Sequence, residues 1–214
     1  DSALSANVNG AKNVAIGNSA LATMNPSSNT DTFNVAVGHD TGKAITTGVQ
    51  NTLIGSLAGD ALTEGGNNVA LGHGALSAET TTGRTVAVGY LALSSQRSDS
   101  HTYNVAIGYN AGVAVTTGVR NTMMGGFAGD ALTTGAYNVA IGYGALSAED
   151  ANGRNVAIGY HALVSQNAGA DAYNTAIGYA AGVAVTTGVQ NTIMGGLAGD
   201  ALTTGGGNIA IGHQ

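Results

Sequence analysis

A five-residue unit, Asn155-Val156-Ala157-Ile158-Gly159 in its cleanest form, recurs twelve times in 214 residues, and this recurrence constrains the fold more than any other feature. The copies begin at Asn13, Asn34, Asn51, Asn68, Thr85, Asn104, Asn121, Asn138, Asn155, Asn174, Asn191 and Asn208. Differences between successive starts are 21, 17, 17, 17, 19, 17, 17, 17, 19, 17 and 17. Asn34, Asn104 and Asn174 open matching segments, so a regular four-copy super-period is superposed on the short one. Self-similarity at a fixed period means stacked repeats, each burying its apolar face against the next. We expect a single repeat domain over 1–214, with super-repeats 1–72, 73–142 and 143–212, read as a fragment of a longer fibre.

The unit itself predicts local structure. Val156 and Ile158 point to one side of an extended chain and Ala157 to the other, so each coil opens with a short strand. A glycine closes all twelve copies, which calls for a turn with positive φ or a close backbone approach. A second short strand is expected through Ala75-Leu76 or Ala184-Val185, followed by a Gly turn. The common coil length holds two strands and two turns, whereas a helix pair needs roughly twice as much chain. The fold class is therefore all-β, a parallel β-solenoid (β-roll) of about twelve short coils. Insertions fall in one coil type only; that of coil 13–33 carries Pro26 in a polar run from Asn25 to Asp31, which reads as an outward loop.

Hydrophobicity predicts the core stripe: Val14, Ile16, Val35, Val37, Val105, Ile107, Val139, Ile141, Val156 and Ile158 inward. The alanines between them (Ala15, Ala36, Ala70, Ala87, Ala106, Ala140, Ala157, Ala176, Ala210) then form a small, uncharged second face. Such a face permits another backbone to approach and points to a homo-oligomer, most simply three chains about one axis. The alternative is that alanine fills a tight interior bend.

Six basic and twelve acidic side chains give a net charge of -6, too few and too acidic for a nucleic-acid surface. Thirty-five glycines without an every-third-residue register exclude collagen. There is no cysteine to staple the chain, and no run of 18 apolar residues to span a membrane as a helix.

The units at Asn13, Asn104 and their siblings, each followed by small residues and a Gly turn, resemble the head repeats of trimeric autotransporter adhesins. These are the left-handed parallel β-roll heads of the YadA-like class, and similar repeats occur in bacteriophage tail fibres. The resemblance covers essentially the whole chain. It implies that the Val and Ile of each unit face the coil interior and that three chains pack as an obligate homotrimer. It also implies an extracellular place, on a bacterial cell surface or a phage virion, and contact with a host-surface glycan or protein receptor. Two features differ from the simplest heads: the coils are longer, and the four-coil super-period is regular.

Three sets of residues are candidates for specific roles. The column Asn13, Asn34, Asn51, Asn68, Asn104, Asn121, Asn138, Asn155, Asn174, Asn191 and Asn208 is expected to be structural, its amides bonding along the stack and capping turns. Thr85 interrupts it, and a local weak point is expected there. After the turn glycine comes a second column, His39, His73, Tyr90, Tyr109, Tyr143, Tyr160, Tyr179 and His213. It suits either a binding stripe or packing over the seam between coils or subunits. Asp60, Asp130 and Asp200 recur once in every four coils, too far apart to share an ion, and neither a metal site nor a cofactor is expected. No nucleophile–base set is legible. Glu79, Glu149 and Asp150 could act as paired carboxylates only across subunits, so no enzyme is expected.

The leading functional expectation is a structural or adhesive segment of a trimeric fibre. The alternatives are an ice- or mineral-binding single-chain solenoid, suggested by the Thr pairs at 46–47, 80–81, 116–117, 133–134, 186–187 and 203–204, or a purely structural matrix filament.

Overall fold

The computed structural model describes residues 2–81 and 83–214. The chain is an all-β parallel β-solenoid of about twelve coils, in two compact units, Asp1–Asn104 and Val105–Gln214. Unit 1 holds β1 (Gly10–Ala11), β2 (Val14–Ile16), β3 (Thr30–Asp31), β4 (Val35–Val37), β5 (Thr52–Ile54), β6 (Val69–Leu71) and β7 (Val86–Val88). Unit 2 holds β8 (Val105–Ile107), β9 (Thr122–Met124), β10 (Val139–Ile141), β11 (Val156–Ile158), β12 (Thr175–Ile177), β13 (Thr192–Met194) and β14 (Ile209–Ile211).

Within each unit, successive three-residue strands pair in parallel without slippage. In unit 1 Val14, Val35, Thr52, Val69 and Val86 stand in one column. In unit 2 the column runs Val105, Thr122, Val139, Val156, Thr175, Thr192 and Ile209. β1 pairs with β3, so the polar insertion of coil 13–33 returns to the stack. Pro26 is buried there, and Asn25 Oδ1 accepts the Val8 amide at 3.2 Å. The insertion is therefore an outward loop only at residues 27–29.

Each three-residue strand is followed by a positive-φ glycine, and Gly108 shows two reasons at once. Gly108 has φ +144°, and a Cβ on it would lie 2.4 Å from the carbonyl oxygen of Gly125 in the next coil. Any side chain would both strain the turn and separate the coils.

Among the described residues no strand forms at Ala75-Leu76 or Ala184-Val185, the expected second-strand positions. Ala75-Leu76 and Ala184-Val185 lie in turns, because the seventh and ninth residues of a coil adopt left-handed conformations; Gly74 and Leu76 have φ of +63° and +56°. The return still bonds to both neighbours. The Gly74 amide donates to Ser56 O and the Leu76 amide to Ala92 O, each at 3.0 Å. Alternating left-handed residues point successive amides to opposite sides, so the ladder continues without an extended chain.

The inward stripe is the reverse of the one hydrophobicity predicts. Val14, Ile16, Val35, Val37, Val105, Ile107, Val139, Ile141, Val156 and Ile158 are half-buried or exposed. The residue between each pair points inward, and Ala36, Ala70, Ala87, Ala106, Ala140, Ala157 and Ala176 are fully buried. Volume explains this. In one set of coils the return supplies a large side chain where the strand supplies alanine: Leu76 with Ala70, Leu93 with Ala87, Leu146 with Ala140 and Leu163 with Ala157. Where alanine meets a ninth-position glycine (Ala36 with Gly42, Ala106 with Gly112, Ala176 with Gly182), the buried twelfth residue, Ile45, Val115 or Val185, fills the interior. Where the strand supplies Leu53, Met123 or Ile193, the ninth residue is Gly59, Gly129 or Gly199. The strand residue and the ninth residue are never both large, which is how the interior reaches close packing without strain. Alanine thus fills a tight interior, and the face it was expected to offer another chain does not exist.

Candidate functional site

Turning the alanines inward places the aliphatic side chains outside. Each described three-residue strand presents its first and third side chains outward, as Val-x-Ile or Thr-x-Met, and none of these strands carries a charged residue. In unit 2 Ile107 is 36% exposed and Met124 and Met194 are 38% and 40%, so this is a strip of apolar surface on an otherwise regular sheet. Isolated exposed apolar side chains are ordinary; a contiguous, uncharged strip marks a contact surface.

Beside the strip stand the aromatic residues that follow the turn glycine. In unit 1 His73 and Tyr90 stack with centroids 5.5 Å apart, while His39 sits 3.7 Å from Asp40 Oδ2. In unit 2 Tyr143, Tyr160 and Tyr179 form a parallel stack, with centroid separations of 5.7 and 5.3 Å and interplanar angles of 12° and 7°. Gly126 would interrupt the column, but Phe127 bridges it, edge-on to Tyr109 at 5.3 Å and to Tyr143 at 5.6 Å. His161 adds a second ring against Tyr160 at 4.0 Å. His213 stands exposed near the end of unit 2. These rings direct their faces at one another and leave edges and hydroxyls outward, a geometry for packing or polar contact rather than for stacking sugars.

A third column escaped sequence reading. The residue before each repeat unit is left-handed and exposed. Lys12, Arg84, Arg120 and Arg154 are followed there one coil on by Phe33, Tyr103, Tyr137 and Tyr173, with Gln50, Asn67, Gln190 and Gly207 at the remaining copies. In unit 1 Lys12 lies over Phe33 at 5.1 Å and Arg84 over Tyr103 at 5.6 Å. In unit 2 Arg120 lies over Tyr137 at 5.3 Å, and Arg154 sits between Tyr137 and Tyr173 at 5.1 and 5.5 Å. Asp171 Oδ2 accepts from Arg154 Nε at 2.7 Å, and this bond is the main cause of the guanidinium pKa lying above its ordinary value. The signal was present: the pairs Lys12/Phe33, Arg84/Tyr103, Arg120/Tyr137 and Arg154/Tyr173 occupy one offset in the repeat. Cation–aromatic alternation carries no hydrophobic periodicity, so a search for apolar stripes passes over it.

The asparagine column is a backbone device. Asn121 Oδ1 accepts the Asn138 amide at 2.9 Å, and Asn121 Nδ2 donates to Gly135 O, 14 residues on, at 2.8 Å. The same pair of bonds recurs at Asn34, Asn51, Asn174 and Asn191. Thr85 is no weak point: it is fully buried, its hydroxyl lies 2.7 Å from that of Thr102, and it accepts Gln96 Nε2 at 3.1 Å.

The candidate carboxylates are scattered differently. Glu79 and Glu149 are fully buried and Asp150 is exposed. Burial raises the Asp60 and Asp130 carboxyls above their ordinary range, with Asp40 adding to the effect at Asp60. Among the described residues no three His, Asp or Glu side chains group in a way that would hold a metal ion, and no helix is long and apolar enough to cross a membrane. No protein-family model, curated protein or solved structure matches the chain.

Proposed function

We propose that this chain is a structural segment of a homotrimeric fibre, carried on a bacterial cell surface or a phage virion, in which three copies pack through the outward strand face. One observation carries the reading: the first and third residues of successive strands form an uncharged strip at the surface, apolar except at Thr52, Thr122, Thr175 and Thr192. A sheet face in permanent contact with water ordinarily carries Lys, Glu or polar residues, whereas this one has the composition of an interface core. Heterologous contacts repeated about one axis close into a ring, and three copies about that axis bury the strip of each. In that arrangement the Tyr/His column borders the interface, and its edges and hydroxyls are the surface for a host glycan or protein receptor.

The ice- or mineral-binding alternative draws little support from the Thr pairs. Thr46 Oγ1 donates to Thr63 O at 3.3 Å, Thr116 Oγ1 to Thr133 O at 3.1 Å, Thr133 Oγ1 to Asp150 O at 2.9 Å and Thr186 Oγ1 to Thr203 O at 3.4 Å, so the first hydroxyl of these pairs is engaged with backbone.

The test is absolute mass by sedimentation over a range of concentrations. A mass three times 20.8 kDa that survives dilution is expected. Ile158→Asp should lower the mass toward that of one chain while the far-ultraviolet dichroism of the coils persists. A concentration-independent monomer in the unmutated chain overturns the proposal.

A further inference from the structure

Two stretches of the chain, one super-period apart, build the same buried polar cluster from slightly different residues. In unit 1 Gln96 Nε2 donates to Glu79 Oε2 at 3.2 Å, to Thr85 Oγ1 at 3.1 Å and to Thr102 Oγ1 at 3.2 Å. The two threonine hydroxyls are 2.7 Å apart, and Gln96 Oε1 accepts Asn104 Nδ2 at 2.8 Å. All five side chains are fully buried.

The unit 2 counterparts are Glu149, Gln166, Asn155, Ala172 and Asn174, also fully buried. The frame is retained, since Gln166 Oε1 accepts Asn174 Nδ2 at the same 2.8 Å. The centre differs. Glu149 Oε2, Gln166 Nε2 and Asn155 Nδ2 are each buried without a protein partner. For Asn155 the cause is the coil length: its sisters donate to a carbonyl 14 residues on, but the inserted residues of coil 155–173 carry Gly169, the equivalent position, out to the surface.

Relative to unit 1, the cluster loses two side-chain heavy atoms where Thr102 is replaced by Ala172 and gains one where Thr85 is replaced by Asn155. The net deficit is one heavy atom, and by correspondence with unit 1, where Gln96 Nε2 lies 3.2 Å from Glu79 Oε2 and 3.1 Å from Thr85 Oγ1, it falls among one acceptor and two donors. That is the bonding pattern of a water molecule, which accepts two N–H groups and donates to a carboxylate. A cation would face two amide N–H groups and an anion would face the carboxylate, so neither matches all three.

We infer that unit 2 binds one ordered water molecule between Glu149 Oε2, Gln166 Nε2 and Asn155 Nδ2, where unit 1 places the Thr102 hydroxyl. The water completes a core that the sequence leaves one hydroxyl short. Buried waters with about three polar partners are integral to protein interiors and exchange slowly.

The experiment uses the full chain. A crystal structure that resolves solvent should show one peak within hydrogen-bond distance of the three atoms. Water–amide cross-relaxation in solution should report one long-lived water near the Gln166 and Asn155 side chains. Ala172→Thr supplies the missing hydroxyl and should remove that water while the three atoms find partners; Ala172→Ser is the smaller substitute if the extra methyl is not accommodated. No peak and no long-lived water in the unmutated chain overturns the inference. So does a peak with the scattering of a heavier ion, or a water whose signal persists unchanged in both variants.

Discussion

Met123 and Gly129 face each other across the slot of one coil: a Cβ on Gly129 would lie 3.1 Å from Met123 Cγ and 2.8 Å from Leu132 Cδ1. In the next coil the order is inverted, with Ala140 on the strand and Leu146 on the return, and Leu146 keeps the left-handed φ of +55°. Side-chain volume is therefore exchanged between two positions while the backbone stays the same. Met123→Ala alone should cost about 2–5 kcal/mol as a cavity. Gly129→Leu alone should cost about 1–3 kcal/mol by overpacking. The double variant, which restores the strand and ninth-residue pair of the neighbouring coil but keeps Leu132 where that coil has Glu149, should cost less than the sum of the two. Denaturant melts of the four proteins measure the coupling, and strict additivity would mean the two positions do not share space.

Strand residues of similar chemistry should respond in opposite ways according to face. Ala157→Leu puts a large side chain into a slot already filled by Leu163 and should cost about 1–3 kcal/mol. Ile158→Val, one position along on the half-buried outer face, should cost less than that. Equal losses in thermal melts would contradict the inward assignment of alanine.

The asparagine column should be uneven in strength. Asn121→Thr leaves the Gly135 carbonyl and the Asn138 amide without their buried partner, at about 1–3 kcal/mol for each group. Asn155→Thr sacrifices a single protein bond, that to the Asn174 amide, because the partner of Asn155 Nδ2 is the inferred water, which a threonine hydroxyl can also bond. The Asn121 variant should melt at the lower temperature. The reverse order would show that Asn155 Nδ2 is better satisfied than its protein surroundings indicate.

Burial pushes the Glu149 carboxyl above its ordinary range, against the lowering effect of the Asn152 side-chain and amide bonds; Asp150 raises it further. An unfolded glutamate titrates near about 4.3. A folded pKa above that value means the native state holds the proton more tightly, so the contribution to stability is complete below about pH 4.3 and is lost as pH rises through the folded value. Asp60 and Asp130, raised by the same cause, contribute with the same sign. Thermal melts from about pH 4 upward should therefore show a decline that is shallower in Glu149→Gln than in the parent. An unchanged slope would mean Glu149 titrates as an ordinary exposed carboxyl.

The repeat period, the short strand after each asparagine and the parallel stacking follow from sequence alone, because a strict repeat lets each residue type recur only above itself. The glycine that ends each strand is legible for the same reason. What Val156-Ala157-Ile158 does not contain is which face of the strand is inside. Alternation defines two faces equally well, and hydrophobicity favours the larger side chains for the core. The answer rests on the distance between the strand and its return, which is set by Leu163 and the left-handed turn around it rather than by the strand. Once Leu163 fills that slot, Ala157 is the only strand residue small enough to point inward, and Val156 and Ile158 take the outer face. The same dependence hid the Glu149, Gln166 and Asn155 cluster. No sequence period reveals that three buried polar atoms lack partners until the coils are stacked and Ala172 is seen where Thr102 stands one super-period earlier.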